Sequence, residues 1–126
     1  IIKLKIDHKV KLFVYKKNIY KYLKKSNYYI STSKWEGSSL AMIDAAYMGL
    51  SLLCSDCPTG RKEFIDKDKK GFLFTEGDSE SFLYKFNEMY KLNPHETKIK
   101  LIKAKKESKK FTLLNHSLRL SNILYS

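Results

Sequence analysis

The sequence predicts an α/β fold, a parallel sheet flanked by helices, and three observations carry that prediction. Short β-prone runs alternate with helical stretches along the chain, as when helices join parallel strands. The run Leu50–Cys54 is apolar at nearly every position, which suits a strand covered on both faces. The segment Glu36-Gly37-Ser38-Ser39 lies where a strand hands over to a helix, and sheets of this kind take ligands outside the carboxyl ends of their strands.

Taken in order, Val10–Val14 reads as the first of four strands. Asn18 can cap a short helix from Ile19 to Lys25, with Ile19, Tyr20 and Leu23 turned inward and the lysines in water. Tyr28–Ser31 is the second strand. Leu40–Met48 is built of good helix formers and ends at Gly49, where a left-handed cap belongs. Leu50–Cys54 is the third strand. Thr59–Ile65 fits a short helix and Asp66–Lys70 a polar turn before the fourth strand, Gly71–Phe74. Asp78 caps a helix running to about Lys91, whose apolar face is Phe82, Leu83, Phe86, Met89 and Tyr90. Asn93-Pro94-His95-Glu96 is a helix start with an N-cap, a first-turn proline and a capping-box acid, and the helix runs through lysines to about Lys110. Thr112 then caps a last helix that carries Leu113, Leu114, Leu118, Leu120, Ile123 and Leu124.

The 126 residues suffice for one domain with a modest core, and no run is long enough to span a membrane. Net charge is +12, from 25 basic residues against 13 acidic ones. Only Arg61 and Arg119 are arginines, so the forks that read phosphates and base edges are nearly absent and no specific nucleic-acid partner is expected. The lysines suit peripheral contact with an anionic membrane surface. Cys54 and Cys57 form a single CxxC, and His8, His95 and His116 are scattered, which falls short of a four-ligand zinc site; two reduced cysteines and no metal are expected.

The chemistry concentrates between Ser31 and Pro58. Free N–H groups at a helix start suit a phosphate, and Gly37 lets a ligand approach the backbone. Glu36 stands just before the helix and Asp44 eight residues later, a rise of roughly 12 Å along a helix. That is about the reach of a sugar, a diphosphate and a ribose, whose hydroxyls the two carboxylates could accept. The same residues also fit a plainer reading, in which Glu36 complements the helix dipole and Asp44 is a solvated helix acid. Trp35 fits either a shield over the site or packing against the sheet, with packing the commoner role.

Glu36, seven intervening residues and Asp44 resemble the E-x7-E motif of the retaining GT-B glycosyltransferases of family 4 type. Ser33-Lys34-Trp35-Glu36-Gly37 resembles their S-x-x-E-G, and Asp44-Ala45-Ala46 with Gly49 their E-A-x-x-x-G. Ser55 to Ile65 resembles their D-x-P-x-G-x-x-E-x-I, with Glu63 on the recurrent acid, and Gly71–Phe74 their N-G-x-L-V strand. The series covers roughly residues 8 to 92, and Asp44 departs from the usual Glu.

The resemblance implies a Rossmann-like parallel sheet, the incomplete C-terminal half of a GT-B fold. Residues 1–92 would be a partial nucleotide-sugar-binding domain, and residues 93–126 helices packing on it and on an N-terminal domain that the sequence lacks. The family's opening strand, glycine turn and Arg/Lys pair have no match, and the chain begins at Ile1, so a C-terminal fragment that is inert and poorly stable alone is expected. The implied reaction transfers a sugar from a nucleotide-diphosphate donor to an acceptor hydroxyl with retention, without a metal or other cofactor. The implied roles are Glu36 for the sugar hydroxyls, the amides of Gly37, Ser38, Ser39 and Leu40 for the diphosphate, Asp44 for the ribose, and the turn at Tyr15 and Lys16 for the base. A glycan or lipid-linked acceptor and a cytoplasmic location at the inner membrane face follow from the same resemblance. The alternatives are a non-catalytic nucleotide-sugar-binding or interaction module and a basic RNA-binding protein.

Overall fold

The computed structural model describes residues 5–37, 39–58 and 60–125. Its centre is a three-stranded parallel sheet in the order β1-β2-β3, with β1 at Tyr28–Ser31, β2 at Ser51–Asp56 and β3 at Phe72–Thr75. The helices are α1 (Tyr20–Leu23), α2 (Leu40–Met48), α3 (Arg61–Ile65), α4 (Ser79–Lys91), α5 (Pro94–Ser108) and α6 (Leu113–Leu124).

Strand β2 is buried from Leu52 to Ser55, and its alternation divides the core. Leu52 and Cys54 face Met42, Ala45 and Ala46 of α2, Phe64 and Ile65 of α3, and Ala104 of α5. Leu53 faces the other way, onto Phe72, Phe74 and Met89, with Phe82 and Phe86 of α4 packed beside them. Each fully buried leucine contributes about 1.5–3 kcal/mol, so this one strand serves two cores at once. An aromatic ladder continues along α4, Phe74 meeting Phe82 edge-on at 5.2 Å and Phe86 stacking on Tyr90 at 6.2 Å. Leu83 and Tyr90, expected on the apolar face, are largely exposed, because β3 ends the sheet and covers only part of α4.

The local stop and start signals act as read. Gly49 takes φ +84° and closes α2, its N–H on Ala46 O and the Leu50 N–H on Ala45 O. The Asn93 side chain accepts from the Glu96 N–H at 2.9 Å and donates through its amide to the Glu96 carboxylate at 2.8 Å, so the box closes through side chains and not through the Asn93 backbone N–H. Gly71 has a packing reason as well, since a Cβ there would come 2.9 Å from Leu52 Cβ.

Three expectations need correction. Val10–Val14 forms no strand. Val10 is extended, but the segment is exposed and, among the described residues, no strand pairs with it, so it joins no ladder. Among the described residues of the α1 segment, Leu23 packs against the main core, whereas Ile19 and Tyr20 are more than a third exposed. Helix α5 ends at Ser108, where a 3-10 turn, Lys109–Phe111, redirects the chain into α6. Helix α5, which follows residue 92, is part of the main core through Ala104, whereas α6 buries no residue and rests on that turn.

The turn before β3 is unusual. Asp66, Lys67 and Asp68 all have positive φ, at 53°, 49° and 62°. Asp68 holds the turn: its Oδ1 accepts from the Leu73 N–H at 2.9 Å, its Oδ2 from Lys85 at 2.5 Å, and its carbonyl from Lys100. Lys67 is exposed and carries the same backbone strain without that compensation. Relief of about 1–2 kcal/mol of left-handed strain, less roughly 0.5–1 kcal/mol of glycine entropy, gives Lys67→Gly a net gain of about 0.5–1 kcal/mol. Asp68→Gly should instead lose about 1–3 kcal/mol, because the Leu73 N–H loses its acceptor. Urea denaturation of both variants beside the parent checks the opposite signs.

Candidate functional site

The carboxyl ends of the strands lie at one end of the sheet, since all three run parallel. The loop leaving β1 carries Glu36, and the loop leaving β2 enters α3 at Arg61. Arg61 is fully buried. Its Nη1 donates to Ser55 Oγ at 2.9 Å and Ser55 O at 3.3 Å, and its Nη2 donates to Ser31 Oγ at 2.7 Å and pairs with the Glu36 carboxylate. Ser55 Oγ donates in turn to Ser33 O at 2.6 Å, and Ser31 and Ser33 share a hydroxyl hydrogen bond of 3.2 Å. One guanidinium thus joins the ends of β1 and β2 to the loop that bears the acid. Burial lowers the Arg61 pKa, as the loss of water disfavours its charge.

The Ser39 side chain makes no capping bond to α2, and no acid lies in the helix's first turn. Ser39, at its N-cap position, is 4% exposed, and Leu40 just after it is largely exposed, so the helix start faces outward. Gly37 has open space where a Cβ would stand. Ser38 lies outside the described residues. The positive end of a helix dipole beside a glycine is the kind of place whose chemistry suits an anion.

Glu36 is in the loop, so the helical path to Asp44 starts only at Leu40 and the rise from there is about 6 Å. The estimate of roughly 12 Å along a helix is therefore replaced by a loop and one helical turn. Asp44 is half-buried and accepts a hydrogen bond from Tyr20 Oη of α1 at 3.1 Å. This bond is the main cause of the raised Tyr20 pKa. Tyr15 and Lys16 lie in exposed coil, joined to the body by the contact of Phe13 with Tyr22 at 4.8 Å. Trp35 is 73% exposed, so it does not pack on the sheet. Glu63 is exposed at the mouth of a cleft of about 210 Å³ beside the start of α2, with Met42, Phe64 and Phe111 among its walls.

Arg61 was not singled out from the sequence. The available signal was its identity, one of two arginines in a chain whose other basic residues are lysines.

Cys54 and Cys57 are both buried and free. Burial pushes the Cys54 thiol up to about 12, with Cys57 adding to the effect. A raised folded pKa means stability that is complete below the unfolded value of about 8.5 and lost as pH rises toward about 12. Native protein at pH 8 should therefore leave both thiols unlabelled by a small maleimide, with full labelling in urea, and Cys54→Ala should flatten the alkaline loss of stability. Prompt native labelling would contradict the buried geometry.

Among known proteins, the family described as "Glycosyl transferases group 1" matches residues 1–108. An uncharacterised glycosyltransferase of Methanocaldococcus jannaschii is 37% identical over 63 residues, 50% of this chain and 16% of that protein. The N-acetylgalactosamine-N,N'-diacetylbacillosaminyl-diphospho-undecaprenol 4-alpha-N-acetylgalactosaminyltransferase of Campylobacter jejuni is 30% identical over 81 residues, 64% of this chain and 22% of that protein. The crystal structure of TarM superposes with a TM-score of 0.69 at 23% identity, over 99% of this chain and 26% of TarM, a likeness of fold. The chain spans about a fifth of the length of these curated relatives.

Proposed function

Because the chain belongs to the glycosyl transferases group 1 family, we propose that it grips a nucleotide-diphosphate sugar as part of the donor-binding half of a retaining GT-B enzyme of family 4 type. The observation that carries this reading is the Glu36 carboxylate held by buried Arg61 in the loop between β1 and α2, at the carboxyl end of the sheet. In it, the amides at the helix start hold the diphosphate, Glu36 accepts from hydroxyls of the transferred sugar, and Asp44 accepts from the ribose. Tyr20 already donates to Asp44, and a carboxylate has lone pairs to spare for a second donor. Tyr15 and Lys16 reach the base from their exposed coil.

The acceptor is proposed to be a lipid-linked glycan held by a further domain, by analogy with the Campylobacter jejuni relative, whose name gives a diphospho-undecaprenol-linked sugar as its acceptor. Among the described residues no helix is long and apolar enough to cross a membrane. A cytoplasmic enzyme, with its lysines and the apolar face of α6 turned toward that domain and the inner membrane surface, fits such an acceptor. No metal or other cofactor is proposed to take part.

Calorimetry with the full native chain tests the division of labour, using UDP, GDP and ADP and their hexose conjugates as the ligand panel. Glu36→Ala should weaken the sugar nucleotide by about 1.5–3 kcal/mol and spare the free nucleoside diphosphate, whereas Asp44→Asn should weaken both alike. If no member of the panel binds, or if Asp44→Asn changes neither affinity, the two-carboxylate reading fails.

A further inference from the structure

The loop between Ser33 and Ser39 meets the body of the protein through Glu36. Lys34, Trp35 and Gly37 are exposed, while Ser33 is tied back to β1 and β2 by its hydroxyl and carbonyl. The Glu36 side chain is 29% exposed although its Oε2 is buried against Arg61, so the rest of the side chain supplies that exposure. One side of the carboxylate is therefore fixed inside the protein, and the side chain also reaches solvent.

We propose that Arg61 is a positioning residue for sugar recognition: its buried guanidinium, seated on Ser31 and Ser55, fixes the Glu36 carboxylate in the orientation that accepts from the sugar hydroxyls. This rests on the reading of Glu36 as a sugar contact. The choice of arginine follows from geometry. A planar fork with five donors reaches Ser31, Ser55 and Glu36 together, which the three donors of a single ammonium nitrogen on a flexible stem do not. A buried ion pair is weak as a source of stability, but it is well suited to holding one arrangement against others. A loop acid without such an anchor would sample several rotamers and lose affinity when it is immobilised by the ligand. Arg61 itself is fully buried, so it acts through Glu36 and does not touch the donor.

The test compares ratios, using the full native chain and the best-binding pair of free nucleoside diphosphate and hexose conjugate from the panel above. Arg61→Met should weaken the sugar nucleotide about tenfold or more and change the free nucleoside diphosphate by less than about threefold, the same selectivity as Glu36→Ala. Combined with Glu36→Ala it should add no further selective loss. Arg61→Lys, which keeps the charge but not the fork, should fall between. Ser55→Ala, which removes one seat of the guanidinium, should show a smaller loss of the same kind, and it carries the comparison if Arg61→Met fails to fold. A purely structural Arg61 would lower the thermal midpoint and weaken both ligands in step; that result, or unchanged ratios in Arg61→Lys and Ser55→Ala, overturns the proposal. If Glu36→Ala itself leaves the ratio unchanged, the sugar-contact reading falls, and the role given to Arg61 falls with it.

Discussion

The carboxyl end of this sheet depends on one desolvated charge. Arg61 has no exposure to water, and a guanidinium in that position is tolerable only if acceptors replace the lost solvent. Ser31 at the end of β1, Ser55 near the end of β2, the Ser55 carbonyl and Glu36 supply them. The requirement acts in both directions. The strands must stay in register for the hydroxyls to converge, and the loop after β1 must fold back for its carboxylate to arrive. These acceptors meet both terminal nitrogens, while the buried Nε has none among the described residues; the incomplete cluster still favours one arrangement of two loops that local propensity leaves open.

The fold was legible where signals are local or where a whole element repeats one pattern. The glycine after α2 and the Asn93–Glu96 box name their own structure because every partner lies within a few residues, and the apolar run of β2 does so because one pattern fills the whole element. Val10–Val14 was misread for the complementary reason. Its residues favour extended backbone, but a strand exists only beside another strand, and sequence pattern does not supply the neighbour. The exposed leucines of α6 show the same limit, since a helical period fixes which residues share a face and leaves open what covers that face.

The candidate site was half legible. Glu36, Gly37 and the start of α2 follow from the strand-to-helix handover, and Asp44 from its spacing. Arg61 could not be reached that way, because its acceptors come from positions six to thirty residues distant and converge only through the parallel pairing of β1 with β2. The hydrogen bond from Tyr20 to Asp44 spans twenty-four residues and was equally invisible. Long-range polar contacts between unlike residues have no periodicity, and so leave no mark in the pattern of a single chain.

The placement of β2 between its two neighbours also bears on the order in which the molecule assembles. Each ladder pairs residues roughly 20 positions apart, so each crossover closes a short loop, and closure entropy grows only slowly with length. Parallel sheets are ordinarily slow to form because their pairings are distant, and this one avoids the worst of that delay. The distant event is the return of α5 across α2, which brings Ala104 into a core otherwise built from residues of the two crossovers. The sheet can therefore form first and leave α5 to seal it, so a chain caught midway would have its strands paired and α2 and α3 laid on one face, with the outer side of that layer still open to water.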